Sequence, residues 1–366
     1  MNLVNNYPVC NGCKWSSLHT CHKFNKECLS VRLDGKRYQL ICTDCFNNDS
    51  WEAGKWENSQ YKGNIGLFHL PGTQYWRYWK ALLYLKQNYP EVFIENRDIK
   101  EIYGNFPGSI WNGRSPDYGD TVLTIQDLDK IRIEIEKMGI RLNLTFNNNM
   151  IEETDIYDRW SNSIASIFHN GKHAITVASP ILFKYLKEKY PNYEYYRSVI
   201  PSEHEMEYCQ DNNFDYILWP RKYNNNWEKL NEVPYKNREK LEFLCNDGCT
   251  PICDRSVHYK ICNSCLLQRS DENVLLKDYC TIDHDFMGYN TKRWPITITP
   301  ELIDKYINNG FVHFKLCSRG DNSILLMYKT IQYLIKPQYI ESSLDWIINV
   351  KYETEEDRKN GKNRCL

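Results

Sequence analysis

Cysteines that could bind a soft metal ion are concentrated in two parts of the chain. Of the 15 cysteines, six fall between Cys10 and Cys45 and seven between Cys245 and Cys317. In a reducing compartment, so many cysteines signal metal or cluster ligation more often than disulfides. The sequence therefore predicts two separate thiolate sites.

The later group begins in the segment KLEFLCNDGCTPICDRSVHYKICNSC, which runs from Lys240 to Cys265. An apolar, strand-like run ends at Asn246-Asp247-Gly248, and the cysteines follow that break. Thiolates grouped on such a loop beside basic side chains suit an iron–sulfur cluster or a zinc ion. A four-thiolate tetrahedron serves either metal, so spacing alone leaves a [4Fe–4S] cluster and a zinc knuckle as alternatives.

The N-terminal group contains two C-x2-C pairs, Cys10 with Cys13 and Cys42 with Cys45. Paired knuckles of this kind wrap a tetrahedral ion, and a segment this short and polar could hardly fold without one. Residues 1–50 are therefore predicted to form a Cys-rich metal-binding module that holds zinc or a second iron–sulfur cluster. A polar linker is predicted at 51–61.

Composition limits the partners and the setting. The 366 residues carry 46 basic and 47 acidic side chains, a net charge of −1, so a nucleic-acid partner would need a local basic patch. Mean hydropathy is −0.65, and no long apolar run predicts a membrane span. With no signal-peptide pattern before Cys10, a cytoplasmic protein is expected. A charged C-terminal tail is predicted at 346–366.

Strand-like and helical segments alternate beyond the linker. The helix start signals include Thr124 with Asp127 three residues later, and Ser179 before Pro180. The strand-like segments lie near Gly63–Leu70, Ile99–Tyr103, Arg141–Phe146, Ala174–Ala178, Tyr195–Val199, Phe214–Leu218, Leu241–Cys245 and Val312–Leu316. Eight such alternations predict an α/β fold, a (β/α)8 TIM-type barrel over 62–345.

In such a barrel the residues that follow each strand share one mouth, where barrel enzymes place their chemistry. These residues are His69, Pro71, Gly72, Asn105, Phe106, Gly108, Trp111, Asn112, Arg114, Asn147, Asn148, Ser179, Ser202, His204, Arg221, Asn246, Asp247, Cys317, Ser318 and Arg319. The predicted mouth is polar, rich in asparagine and partly cationic.

Five segments resemble, in order, the strand-end signatures of the peptidase U32-like barrels. They are LFHLPG, YGNFPGSIWNG, GKHAITVASPILFKYLKEKYP, NDGCTPICDRSVHYK and ITPELIDKYINNGFVHFKLCSRG, and the resemblance covers roughly Lys62 to Tyr339. Members of that family include iron–sulfur proteins that take part in oxygen-independent or prephenate-dependent hydroxylation of RNA bases and of a quinone precursor. The resemblance thus implies a [4Fe–4S] cluster on a barrel.

The resemblance also implies site residues. The family pattern N-x-G-C-x3-C-x-R-x2-H falls on Asn246, Gly248, Cys249, Cys253, Arg255 and His258, and the pattern F-K-x-x-x-R falls on Phe314, Lys315 and Arg319. Four cluster ligands are then expected, namely Cys249 and Cys253 with two later cysteines. Cys265 and Cys280 are assigned to those two places, and Cys262 and Cys317 compete for them.

Arg319 and Arg114 are predicted to hold an anionic substrate, because a guanidinium binds carboxylate or phosphate through two parallel hydrogen bonds. Asn105, Asn112 and His258 are predicted to orient it. The predicted function is iron–sulfur-dependent hydroxylation, or other oxidative modification, of a nucleobase in RNA or DNA, with a nucleic acid or a small prephenate-like anion as partner. A U32-type peptidase is one alternative, and a zinc-stabilised module that binds nucleic acid or protein is another.

Overall fold

In a computed structural model, eight parallel strands of the chain form a closed barrel. The structure describes residues 63–113, 122–200, 212–246, 296–317 and 323–349, and the backbone of five short strands before them. Those five are β1 (Ser16–Ser17), β2 (Thr20–Cys21), β3 (Lys26–Glu27), β4 (Ser30–Leu33) and β5 (Lys36–Gln39). The predicted ligands Cys10, Cys13, Cys42 and Cys45 lie outside the described residues, so the metal-binding module stays a prediction.

The barrel strands lie where the sequence predicts them. They are β6 (Gly66–Pro71), β7 (Arg97–Gly104), β8 (Arg141–Phe146), β9 (Ala174–Val177), β10 (Glu194–Arg197), β11 (Tyr216–Leu218), β12 (Leu241–Leu244) and β13 (His313–Lys315). Each pairs in parallel with its neighbours in chain order, and β13 pairs with β6 to close the ring. The predicted (β/α)8 barrel is confirmed.

Helices alternate with these strands. They are α1 (Trp76–Asn88), α2 (Ile125–Lys137), α3 (Arg159–Ile167), α4 (Pro180–Lys189), α5 (Trp227–Glu232), α6 (Tyr235–Arg238), α7 (Ile303–Asn308), α8 (Ser323–Ile331) and α9 (Ile340–Asn349). Thr124 caps α2 in a capping box with Asp127, and the Ser179 hydroxyl accepts a hydrogen bond from the Leu182 amide at 3.2 Å to cap α4. No described helix combines the length and apolar character that a membrane crossing requires.

The chain divides into two compact units. One comprises residues 1–59, 77–95 and 327–366; within it, the Ile94 amide donates to the Leu334 carbonyl at 3.0 Å, and the Tyr84 and Trp346 rings stack at 6.0 Å. The other comprises residues 60–76 and 96–326 and contains every barrel strand.

The two faces of the barrel wall differ in chemistry. Aromatic rings pack on one face, where Phe243 lies 5.1 Å from Tyr306 and 5.3 Å from Phe311 between ring centroids. Burying such a side chain contributes about 1.5–3 kcal/mol. The other face combines apolar side chains such as Leu218 and Leu244 with many polar ones. The buried polar side chains there include His69, Glu101, Asn143, Thr176, Glu242, His313 and Lys315. Barrel interiors are ordinarily filled by valine, isoleucine and leucine, so this interior departs from the structural norm.

His173 couples the stability of the fold to pH. The Leu142 amide donates to its Nδ1 at 3.1 Å, so the proton of the neutral ring is on Nε2, 3.3 Å from Glu136 Oε1. Burial lowers the pKa of His173 to about 4. The unfolded chain then binds a proton between pH 6.5 and 4 that the native chain does not, so stability present at neutral pH is lost as pH falls. The loss approaches 1.4 kcal/mol per pH unit, or roughly 3 kcal/mol over that range.

Urea unfolding at pH 7.5 and pH 4.5 tests this expectation in wild type and in His173→Gln. The variant should lose less stability between the two pH values than wild type does. The measurement at pH 7.5 separates lost packing from titration. An identical loss in both proteins would show that His173 does not carry the effect.

Candidate functional site

A β-bulge in β7 turns two successive charged side chains into the barrel. Phe68 pairs with Ile99 and His69 with Glu101, which leaves Lys100 as the extra residue. Glu101 is fully buried, and Lys100 Nζ lies 3.8 Å from the centroid of the Tyr216 ring, on β11 across the barrel. Successive side chains of a regular strand point to opposite faces, and bulges concentrate next to active sites. The bulge therefore indicates a functional site inside the barrel.

Glu101 is the centre of the interior network. Its Oε1 accepts hydrogen bonds from Asn143 Nδ2 and His69 Nδ1, both at 2.7 Å, and its Oε2 accepts from Arg141 Nε at 2.6 Å. Burial would raise the pKa of Glu101, but the charges of His69 and Arg141 outweigh it and hold that pKa well below its usual range. The carboxylate is ionised and only accepts, so His69 Nδ1 carries the proton between them.

A second buried carboxylate, Glu242, shares the same histidine. Its Oε1 lies 2.7 Å from His69 Nδ1, and its Oε2 lies 3.4 Å from Lys315 Nζ. Burial acts to raise the pKa of Glu242, and Lys315 and His69 lower it on balance. His69 Nδ1 has one proton, which its hydrogen bond directs to Glu101 Oε1, and Glu242 Oε1 has no hydrogen-bond donor of good geometry among the described residues. This oxygen is poised to accept a proton or a small donor.

His69, Glu101 and Glu242 also form a set of potential metal ligands, with ligand atoms within 4.8 Å of one another. Imidazole and carboxylate together suit zinc, manganese or iron. However, Arg141 and Lys315 already neutralise the two carboxylates, so a divalent ion would bring uncompensated charge into a buried site, at a large cost. The donor set therefore favours holding and moving protons over holding a metal.

His313 extends the network away from the carboxylates. Its Nδ1 lies 3.1 Å from His69 Nε2, and its ring meets that of Tyr216 edge-on at 4.8 Å. Burial, together with the nearby Lys100 ammonium, holds the pKa of His313 well below its usual range, so this ring is neutral. The two imidazoles share one hydrogen bond, which links Glu101 to the far side of the interior.

Lys315 connects the interior with the C-terminal ends of the strands. Its Nζ lies 4.1 Å from the centroid of the Tyr103 ring, and the Tyr103 hydroxyl donates to the Leu316 carbonyl at 2.5 Å. Cys317, two residues on, has its amide bound at 2.6 Å by Asn246 Oδ1 from the neighbouring strand end. Asn246 is only 3% exposed, and within the part of the chain that the structure describes its Nδ2 has no hydrogen-bond partner. Cys317 and the buried Asn246 amide group thus lie closer to the C-terminal ends of the strands than Lys315 does.

Two of the predicted site residues lie near this end of the barrel. Asn105 and Asn112 both follow β7 and are buried. The Thr73 hydroxyl donates to the Asn105 carbonyl at 2.8 Å, and Asn112 Nδ2 donates to the Phe106 carbonyl at 2.6 Å, so both asparagines brace their loop. The remaining predicted residues lie outside the described residues: Arg114, Cys249, Cys253, His258, Cys265, Cys280 and Arg319.

The interior network is what sequence reasoning misses. The sequence places His69 at the mouth, whereas it lies inside β6, because that strand continues to Pro71. Glu101, Arg141 and Glu242 are not predicted as site residues at all. One signal in the sequence could have identified such residues, namely a single acidic residue inside an apolar strand. Glu242 in the LEFL segment of β12, where every residue is buried, is an example.

The fold and this interior define the class of protein: a (β/α)8 barrel with an ionisable core beneath its C-terminal end. No family model and no curated protein matches the chain. Among solved structures, the chain is similar to that of the U32 peptidase Mk0906, with 14% sequence identity and a TM-score of 0.42. The match covers 72% of this chain and 98% of that chain.

A double-mutant cycle tests the link between Glu242 and Lys315. Glu242→Gln and Lys315→Met should each cost about 3 kcal/mol, because each leaves a buried charge without its partner. The double variant should cost 1–3 kcal/mol less than the sum of the two single changes, a coupling of roughly the size seen for groups in one network. Denaturant unfolding of the four proteins measures it. Additivity to within about 0.5 kcal/mol would contradict the pairing.

Proposed function

We propose that this chain is an iron–sulfur-dependent enzyme that hydroxylates or otherwise oxidatively modifies a nucleobase in RNA or DNA at the C-terminal end of its barrel. The observation that carries the proposal is the pair formed by Cys317 and Asn246. Their strand ends are joined by a hydrogen bond of 2.6 Å, at the point where the cysteine-rich segment leaves β12.

Chain connectivity supports a thiolate centre at this point. Cys249 follows Asn246 by three residues, and three residues span at most about 11 Å. Ligands from the β12 and β13 ends can therefore meet, with Cys249 and Cys253 from one side and Cys317 from the other. In this arrangement Cys317 takes a place that the sequence assigns to Cys265 or Cys280. A [4Fe–4S] cluster bound there would supply electron transfer.

The two described cysteines differ in a way that fits this assignment. Cys245 is buried, its Sγ lies 3.6 Å from the Phe243 carbonyl, and burial raises the pKa of its thiol well above the usual range. The Cys245 thiol is thus enclosed in the core and directed to a backbone carbonyl, which makes it the weaker candidate for ligation. Cys317 is only half-buried and follows the inward-facing Lys315 by two residues. The donor set at the strand ends therefore fits a thiolate-bound group.

The interior network has a defined part in the proposed reaction. A substrate at the mouth faces the Asn246 amide, which binds a carbonyl or ring nitrogen. Below it, the Lys315 ammonium stabilises negative charge, and Glu242 Oε1 is able to accept a proton. Glu101 and Arg141 hold His69 in the orientation that makes this oxygen available. The choice of a nucleobase follows from the family resemblance.

Peptide hydrolysis is the rival reaction, and the described residues offer it little support. None of the four described histidines, His69, His169, His173 and His313, hydrogen-bonds a serine, threonine or cysteine. A nucleophile activated by histidine requires that contact.

Turnover assays separate the two reactions. Anaerobically prepared protein is incubated with RNA and with DNA, with and without a reductant and prephenate, and the nucleosides are analysed by mass spectrometry. With prephenate as the cosubstrate that supplies the oxygen atom and is itself reduced, the proposal predicts a nucleoside that has gained one oxygen atom, absent without prephenate and with Cys249→Ser. Cleavage of labelled peptides or denatured collagen without any redox partner, and with unchanged nucleosides, would overturn it in favour of a hydrolase.

A further inference from the structure

Lys100 is a cation that the interior network does not use. The bulge directs it into the barrel, where its Nζ lies over the Tyr216 ring at 3.8 Å and near the Tyr196 ring at 5.9 Å. No ion pair or hydrogen bond joins its ammonium to any residue of the described chain. Buried charges are ordinarily paired or bind a ligand, so this side chain requires an explanation.

The charged groups around Lys100 already form ion pairs with one another. Arg141 forms ion pairs with Glu101 at 2.6 Å and with Glu194 at 2.5 Å, and Lys315 forms one with Glu242 at 3.4 Å. Lys100 therefore faces Arg141, Glu101, Glu194 and Glu242 across the interior without contacting any carboxylate within ion-pair distance. The two cations, Lys100 and Arg141, both lie near the stacked rings of Tyr196 and Tyr216.

This arrangement lies at the end of the barrel opposite the proposed reaction. Arg141, Glu194 and Tyr216 are the first residues of β8, β10 and β11, and Glu101 pairs directly with Arg141. Solvent reaches this end, because Lys100 is only partly buried and the Glu194 side chain is 45% exposed. A small molecule can therefore approach Lys100 without passing the mouth.

We propose that the N-terminal end of the barrel is a second ligand site, in which Lys100 binds the carboxylate or phosphate group of a small anion against the Tyr216 ring. The ring holds the ammonium in place from one side and leaves its three protons for the ligand. Burial, with a further contribution from Arg141, lowers the pKa of Lys100 to about 8, and the more distant Glu101, Glu194 and Glu242 offset this only in part. A bound anion would stabilise the charged form and raise that pKa.

Trace labelling with acetic anhydride tests the site on the full chain. The reagent attacks only the neutral amine, and peptide mass spectrometry gives the labelling rate of each lysine against pH. Saturating inorganic phosphate or acetate should slow the labelling of Lys100 about tenfold near neutral pH, since a rise of one unit in its pKa reduces the neutral fraction by that factor. Lys137, which is 61% exposed, serves as the control and should label equally with and without the anions.

The variant Lys100→Gln provides a second measurement. The proposal predicts that the variant loses phosphate and acetate binding in calorimetry while its melting temperature stays level or rises, because an unpaired cation has been removed. Equal labelling of Lys100 with and without the anions would overturn the proposal. A lower melting temperature in the variant, with no anion binding by wild type, would assign Lys100 a purely structural role. Neither result depends on whether the mouth carries out the proposed reaction.

Discussion

Replacing Glu101 with glutamine is expected to lower the free energy of unfolding by about 3–5 kcal/mol, the cost of removing one partner from a buried ionic pair. Glu101 accepts hydrogen bonds from three side chains on the two neighbouring strands, from His69 on β6 and from Arg141 and Asn143 on β8. The neutral glutamine amide cannot replace these charge-assisted contacts. Arg141 then keeps its buried positive charge without the carboxylate of Glu101 to balance it. Denaturant unfolding at neutral pH measures the loss.

Glu194→Gln is the matched control, because Glu194 binds the same Arg141 at 2.5 Å but is 45% exposed. Ion pairs that face solvent contribute about 0–1 kcal/mol, so this variant should unfold nearly as wild type does. If Glu101→Gln and Glu194→Gln lower the free energy of unfolding equally, the contacts of Glu101 in the interior do not stabilise the fold more than an exposed ion pair does.

Replacing Cys317 with serine is expected to remove bound iron, whereas replacing Cys245 is expected to leave it in place. Cys317 lies at the strand end beside Asn246, where ligands from two strands can meet. Cys245 lies in the same strand-end region, but it is fully buried and its thiol keeps its proton. The two variants remove the same atom from neighbouring positions, which makes them a matched pair.

Iron and acid-labile sulfide, measured on anaerobically prepared protein, give the readout, and circular dichroism confirms that both variants are folded. Equal iron in Cys317→Ser and wild type would exclude Cys317 as a ligand. The ligand position proposed for Cys317 would then be assigned to Cys265 or Cys280, the residues that the sequence favours.

The barrel could be predicted because its signals are local. The strands are short segments with buried apolar residues between turn signals, and helices begin at recognisable caps such as Thr124 and Ser179. Residues that are close in sequence determine these features, so no knowledge of the closed structure is needed.

The interior could not be predicted, because its contacts join residues far apart in the sequence. Glu242 meets Lys315 across 73 positions, and His69 meets His313 across 244. An alternating strand also does not reveal which of its faces turns inward. The bulge at Lys100 adds one residue that periodicity cannot detect, and it changes the face on which Glu101 lies.

The most direct test of the proposed iron–sulfur centre is metal and sulfide analysis with electron paramagnetic resonance on the anaerobically prepared full chain. A cluster bound at the strand ends should give iron and acid-labile sulfide with a signal that disappears in Cys249→Ser/Cys253→Ser and persists in Cys10→Ser/Cys13→Ser. A colourless protein with stoichiometric zinc and no sulfide would contradict it.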